Sequence, residues 1–555
     1  IKTAPGSKLA SERGNVALTA YQNLTAKAAS KAAGLGYAGS AEASVALVDV
    51  SSETSVDSAA DVTALNGSYN ILAQQILTAQ TDARGIGVAF GGSVGAAVAR
   101  LKVKPVVSAV VTGGTIQAKN MNVRALFNIA DNSDYFNTGK LSADAYAGAA
   151  GLLIGGSGAY ADVIFDGTTK AAVKNANAVL TEDALIFAKA NGSASASGQG
   201  LSIGSLAVGG VVVKLSNTFK VLAQLVNSTL NRARNISVLA DYTGNLTGTA
   251  KGVAGGLLAA GTAQSVSLTE NVTTTASVTN STVVASGTFS TVAQDTHRIR
   301  GTATGYSASG FAAGGLTKIN TSLTNTTTAE ITGSQVIANT ILLHATTVID
   351  KDTKATASAG ALGGSANDVS DNTTVTNKTY AVVGRGSRLV AIDSVSISAE
   401  TNNQYKGYAT AIAGAIVAKG VATASQKVTD DVRVQIYPCV ITANTGDVDI
   451  IAYAKDITSN LTAYGGAGGL AAGTNVKAEA VTDAAAKVEF LSGTSADHAV
   501  IRAESMDLFV EAKTNTEANV YARIKFTVDG LSNIATLATN KMTINALVDL
   551  GQYAQ

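Results

Sequence analysis

Tryptophan is absent from this chain, there is a single cysteine, and only three prolines and three histidines occur in 555 residues. Aromatic residues make up 5% and charged residues 14%, against about 25% charged in ordinary soluble domains. One cysteine, Cys439, excludes an intramolecular disulfide framework and leaves the redox compartment open. Forty basic against thirty-nine acidic residues, with no long basic run, remove the electrostatic case for nucleic acid or an anionic membrane. With few large aromatics, a thick jigsaw-packed globule is ruled out. The core must be thin enough for small and β-branched side chains to close it.

What fills the chain instead is Ala, Gly, Thr, Ser, Val and Asn, arranged in a repeat. A Gly/Ala-rich block recurs at Ala32–Gly39, Gly85–Gly92, Gly148–Gly156, Gly200–Gly210, Gly252–Gly261, Gly310–Gly315, Ala359–Gly364, Ala413–Gly420 and Tyr464–Gly473. Between the blocks sits a short strand-like phrase: NVALTA from Asn15, MNVRAL from Met121, NISVLA from Asn235, VSISAE from Val395, DVDIIAYA from Asp447, MDLFVEA from Met506 and MTINALV from Met542. The blocks return every ~50–60 residues, which predicts about ten imperfect units of several coils each, about three per unit. DNSDYFNTGK at Asp131–Lys140 reads as a loop insertion, and 506–555 as a shortened terminal repeat.

Within units, alternate residues match in character from Glu42 to Leu47 and from Lys477 to Thr482, the two-residue period of strands. Gly, Asn, Asp and Ser cluster between such runs, as repeated turning requires. Helical spacing fits few stretches, notably Ala171 to Ala188, and the β-branched and glycine content disfavours long helices. The expected fold is all-β, a rod-shaped right-handed parallel β-helix with stacked Gly/Ala faces, a single solenoid over 1–555. Its handedness is assigned from the chirality of parallel crossovers. The glycine blocks are read in two ways: as the thinnest part of the cross-section, or as a face on which chains pack side by side. They are too short for a transmembrane helix, and the aromatic girdles of a membrane barrel are missing.

The GGxAAG-type blocks alternating with AxVxxxTxAxV strands resemble the repeat regions of large filamentous bacterial adhesins, the filamentous-haemagglutinin-like and leukotoxin-like secreted proteins. Gly468–Phe490 and Gly252–Leu268 carry the likeness best. The resemblance is one of rhythm and composition over almost the whole chain, without a signature residue. It implies an exported, cell-surface β-helical protein acting through shape, stiffness and a repetitive surface. The partners it implies are further copies, head-to-tail or lateral, and glycans or proteins of neighbouring or host cells. The secretion-recognition and anchor regions of that group are not in this sequence, and the ends are expected to join more of the same. A surface-layer or biofilm-matrix subunit is a related alternative.

No cofactor, metal or catalytic constellation emerges, and the chain is not expected to be an enzyme. His297, His344 and His498 lack metal-ligand spacing, and no CxxC, HExxH or P-loop occurs. GxSxG strings around Ser93 and Ser202, and the GxGxxG-like Gly34–Gly39, fall in or beside the glycine blocks and read as repeat content. Arg523-Ile-Lys525 and Asp430-Asp431 match short motifs of polygalacturonase-like hydrolases, so a β-helical polysaccharide-active enzyme or carbohydrate-binding module is the main alternative, although the histidine phrase of that family is missing. Asp131–Asp134, Asp447–Asp449 and Asn367–Asp371 offer loop oxygens for calcium but read first as turn residues. Cys439, after Pro438, reads as a small buried hydrophobe at an edge or bulge. Asn-x-Ser/Thr triplets such as those at Asn227, Asn280 and Asn377 are common enough to arise from composition.

Overall fold

The computed structural model describes residues 1–129, 139–491, 498–525 and 532–550. Almost all of them lie in strands, and no helix forms among them. The strands join one sheet in which every pairing is parallel. Strands Val440–Ala443, Asp447–Gly468 and Ala471–Phe490 show one circuit of the chain. A short base strand leads into a long outbound strand, a tight turn follows, and a long return strand runs back. Each stretch then pairs with its equivalent one circuit later, as Gly39 does with Gly92, Ile236 with Phe289 and Ala259 with Ala312. Such a parallel, repeat-like all-β fold is consistent with a β-solenoid.

The pairing distance corrects the expected internal organisation. Gly39 to Gly92 is 53 residues, so one sequence unit is one circuit and not three short coils. Isolated glycines fail to break the strands because each is flanked by in-register neighbours above and below, whose hydrogen bonds hold it extended. Strands of about 20 residues span roughly 65 Å, whereas ten stacked rungs rise only about 50 Å. Over these residues the molecule is therefore a flat slab and not a narrow rod. The stretch 171–188, which has helical spacing, lies in the strands Ile154–Lys174, Asn177–Leu180 and Ala184–Asn191.

Six of the seven strand phrases stack in register: Val16 on Tyr69, Tyr69 on Met121, and then through Ala184 and Ile236 to Val395, Val448 and Met506. The seventh does not. Met542 pairs with Thr482 on the return face, whereas Met506 lies on the outbound face. The last pairings are also wider, 58 residues from Asp447 to Ser505 and 60 from Ala472 to Ser532. The expected insertion at Asp131–Lys140 lies, apart from Gly139 and Lys140, outside the described residues. The paired strands on either side of it, at Ala79 and Leu141, are 62 residues apart.

Inward positions are mostly Ala, Val, Ile and Leu, and buried and exposed positions alternate along most of each strand. Part of the space between the long sheets is filled by rings. Phe127, Phe165, Phe219 and Tyr242 stack in sequence with centroids 5.1 to 5.7 Å apart. At the tight turn the sheets converge on the Gly/Ala blocks, and a Cβ on Gly155 would stand 2.1 Å from the Ile203 carbonyl oxygen. Backbone meets backbone there, so only small residues can face inward.

The corner between the return and base strands carries its own ladder, which sequence reading passed over as glycosylation triplets. Gly113, Asn175, Asn227, Asn280 and Gly333 occupy it with φ between 47° and 79°, the left-handed region that Gly and Asn tolerate. Ser228, Ser281 and Ser334 follow, and the Ser281 hydroxyl accepts the Ser228 N–H at 3.1 Å, as Ser334 accepts that of Ser281 at 3.0 Å. The Asn-Ser-Thr triplets at Asn227 and Asn280 are thus accounted for by turn stereochemistry. Cys439 sits at the same corner with its thiol turned inward, and burial pushes its pKa up to about 12.

Candidate functional site

A turn of two residues cannot fold a large side chain back between two converging sheets, so bulky residues at the narrow edge must point outward. They do so in nearly every circuit. Leu35 and Tyr37, Phe90, Leu152 and Leu153, Ile203 and Leu206, Leu257 and Leu258, Phe311, Leu362, Ile416 and Leu470 are all exposed, Leu35 at 88% and Phe90 at 67%. Stacking them rung on rung makes an apolar ridge that follows the winding axis. Tyr37 and Phe90 lie ring on ring at 5.7 Å. Two shallow depressions of about 620 and 780 Å³ adjoin along the ridge and share Leu152 and Ile203. A continuous exposed apolar feature of this extent marks an interaction surface. The sequence pointed to the blocks but to their glycines. The signal it missed was one large hydrophobic residue at the centre of almost every block.

A second feature lies inside the slab. Glu270, Asp295 and His297 are fully buried, with His297 Nδ1 3.0 Å from Glu270 Oε2 and Nε2 2.8 Å from Asp295 Oδ1. Asn217 and Tyr242 donate to the other Glu270 oxygen, and Thr327 to Asp295. Burial opposes the imidazolium, but Asp295 and then Glu270 outweigh it and raise the His297 pKa to about 10. The ring stays charged and holds the two carboxylates together. Asp430, two circuits on, has only neutral partners: Asn377 and Asn403 amides at 2.8 Å and the Tyr405 hydroxyl at 3.3 Å. Burial pushes its pKa up to about 6, against the three hydrogen bonds that lower it.

Because folding raises the Asp430 pKa above its usual 3.8, the folded state holds its proton more tightly. This group's contribution to stability is then greatest below pH 3.8 and declines as pH rises to about 6. Asp430→Asn keeps one acceptor for the two amides and one donor for Tyr405. It is expected to equal or exceed the wild type in thermal stability at pH 8 and to flatten the slope between pH 4 and 6. Thermal melts across that range check it.

The remaining sequence candidates are dispersed. Asp431 points to the opposite face from Asp430 and pairs with Arg433 at 2.6 Å, while Arg523 pairs with Gly466 near the narrow edge. The hydrolase-like motifs are therefore not assembled into one site. Ser93 and Ser202 are buried between the converging sheets, and Ser202 bonds Ser157 at 2.7 Å. Asn367–Asp371 and Asp447–Asp449, expected as turn residues with calcium as the lesser reading, are strand, and successive residues there face opposite sides of the sheet. Asp131–Asp134 lie outside the described residues. His344 is on the outer face beside Ser398 and Thr346 and does not stack on His297, whose partner is Ile349. Among the described residues no three or more His, Cys, Asp or Glu side chains are placed so that they could hold a metal ion. An outer furrow lined by Thr243, Asn245, Arg298, Asp350 and Gln404 carries no aromatic platform. No family model, curated protein or solved structure matches this chain.

Proposed function

We propose that this chain is a structural protein of the cell exterior, a right-handed β-helical slab that works through shape and associates edge to edge along its apolar ridge. The observation that carries this reading is the ridge itself, which leaves large hydrophobic side chains in water in nearly every circuit. The occupant we assign to it is a second copy. A partner must offer apolar groups at the rung spacing of about 4.8 Å over many rungs, and another copy of this chain does so by construction. A two-fold arrangement would set ridge against ridge in an isologous contact. The likeness to adhesin repeat regions supports a place on the cell surface. Balanced charge is compatible with close approach of identical chains.

The test is sedimentation velocity together with negative-stain imaging. The wild type should form paired or sheet-like slabs. A Phe90→Ser, Leu257→Ser, Phe311→Ser variant should run as a monomer with an unchanged circular dichroism spectrum, since these side chains are exposed. A wild type that stays monomeric at high concentration would sink the edge contact. Absence of surface labelling on intact source cells would sink the location.

A further inference from the structure

The outer face of the outbound strands carries a furrow of about 510 Å³ that crosses five circuits, from Ser193 to Gln404. The strand ladder is interrupted at either end of it. At Gly192–Ser193 the chain leaves one strand, Ala184–Asn191, before entering the next, Ala194–Val226. At the far end the register shifts between Asn402 and Gln404, where Asp456 of the following circuit has a left-handed φ of 48°. Asn245, Arg298, Asp350 and Gln404 stack in one row along the furrow. In the row beside it, Asn402 is followed one circuit on by Lys455. Asp350 is taken by Arg300, whose guanidinium holds both carboxylate oxygens at 3.1 and 2.5 Å. Arg298 Nε stands 3.7 Å from Asp350, beyond hydrogen-bond reach, and its side chain is 63% exposed. Lys455 is exposed, and the adjacent Asp456 is paired with Lys513 at 2.9 Å. Among the described residues the amides of Asn245, Asn402 and Gln404 have no hydrogen-bond partner.

We propose that this furrow binds an acidic polysaccharide, a strand of uronic acid residues lying along the winding axis. Its carboxylates meet Arg298 and Lys455, and its hydroxyls meet the three amides. A guanidinium with unused N–H donors in one plane matches a carboxylate in geometry as well as charge. Neutral sugars are commonly gripped by stacking on an aromatic ring, and none lines the furrow. Charge and hydrogen bonds must therefore carry recognition. The rung spacing of about 4.8 Å is close to the length of one pyranose residue, so successive sugars meet successive circuits in the same way. Arg298 and Lys455 are three circuits apart, about 14 Å, so an oligomer reaches both and a single sugar does not. An exposed ion pair contributes little by itself, and affinity comes from several contacts made at once. Asn245 lies roughly 40 Å along its strand from Leu257, so binding here is independent of the ridge contact.

Isothermal titration of the full chain with polygalacturonate fragments of defined length tests this, alongside the fully methyl-esterified fragments, a neutral glucan and dextran sulfate. Polygalacturonate should bind, with affinity rising steeply from dimer to hexamer and falling as salt is added. The methyl ester keeps the ring hydroxyls but loses the charge, and should bind at least about tenfold more weakly. Arg298→Gln and Lys455→Gln should each weaken polygalacturonate binding about tenfold, as expected for the loss of one charge-assisted hydrogen bond. Lys318→Gln, exposed on the return strands, should leave it unchanged. All three side chains are exposed, and circular dichroism of each variant should match the wild type. Absence of polygalacturonate binding, equal binding of its methyl ester or of the glucan, or binding of dextran sulfate alone overturns the proposal. Unchanged affinity in both Arg298→Gln and Lys455→Gln does so too, because the uronate would then sit elsewhere.

Discussion

His297→Ala is expected to cost about 3–5 kcal/mol at neutral pH, the penalty for leaving buried charge without its partner. The variant strands Glu270 and Asp295 beside each other in the core, with only the bonds from Asn217, Tyr242 and Thr327 to satisfy them. One carboxylate must then take up a proton, so the deficit should shrink as pH is lowered toward 5. Replacing all three together, His297→Leu with Glu270→Gln and Asp295→Asn, should recover most of the loss. The wild type has its own pH signature here. A histidine whose pKa rises from 6.5 to about 10 on folding contributes stability that is complete below 6.5 and is lost as pH climbs through about 10. Thermal melts of both proteins from pH 5 to 10.5 measure this. Equal stability at pH 7 would show that the ring is not charged.

Phe219→Ala should be comparably costly, about 3–5 kcal/mol, because it empties the centre of the ring stack. Phe219 touches Phe127 and Phe165 of the preceding circuit and Tyr242 of the following one. Its ring also occupies the space above Gly167, where a Cβ would lie 2.1 Å away, so the neighbours cannot collapse into the void without moving backbone. Phe219→Leu keeps most of the volume and should cost less than about 1.5 kcal/mol. In a stacked repeat each circuit depends on its neighbours, so hydrogen exchange resolved by circuit is the informative readout. Protection should fall first around 121–127, 160–173 and 236–243. Uniform loss over the whole chain would argue instead for a single cooperative unit.

The two buried titratable sites rest on residues that look ordinary in the sequence. His297 was one histidine without ligand spacing, and Asp430 half of a weak hydrolase match, because a sequence does not say which residues face each other across a core. Alternation assigns Asp430 and Asp431 to opposite faces of a strand. It does not say that Asn377, Asn403 and Tyr405 wait on the inner side. Those partners come from a neighbouring circuit and from the opposite sheet, 25 to 53 residues away.

By itself the sequence determined that the chain is built of strands, that like stretches lie on like, and that the Gly/Ala blocks line up, because a two-residue period and a fixed repeat are local and translational properties. It also set how thin the core must be, since side-chain size limits how far apart two sheets can stand. Only the tertiary structure decided how long each strand runs before it turns, and hence that one unit makes one circuit of a slab. The turn position follows from where two sheets can close on each other, a balance of packing that no short window contains. The same closure decided which way Phe90, Leu257 and Phe311 point, and so turned a set of glycine-rich blocks into an exposed apolar edge.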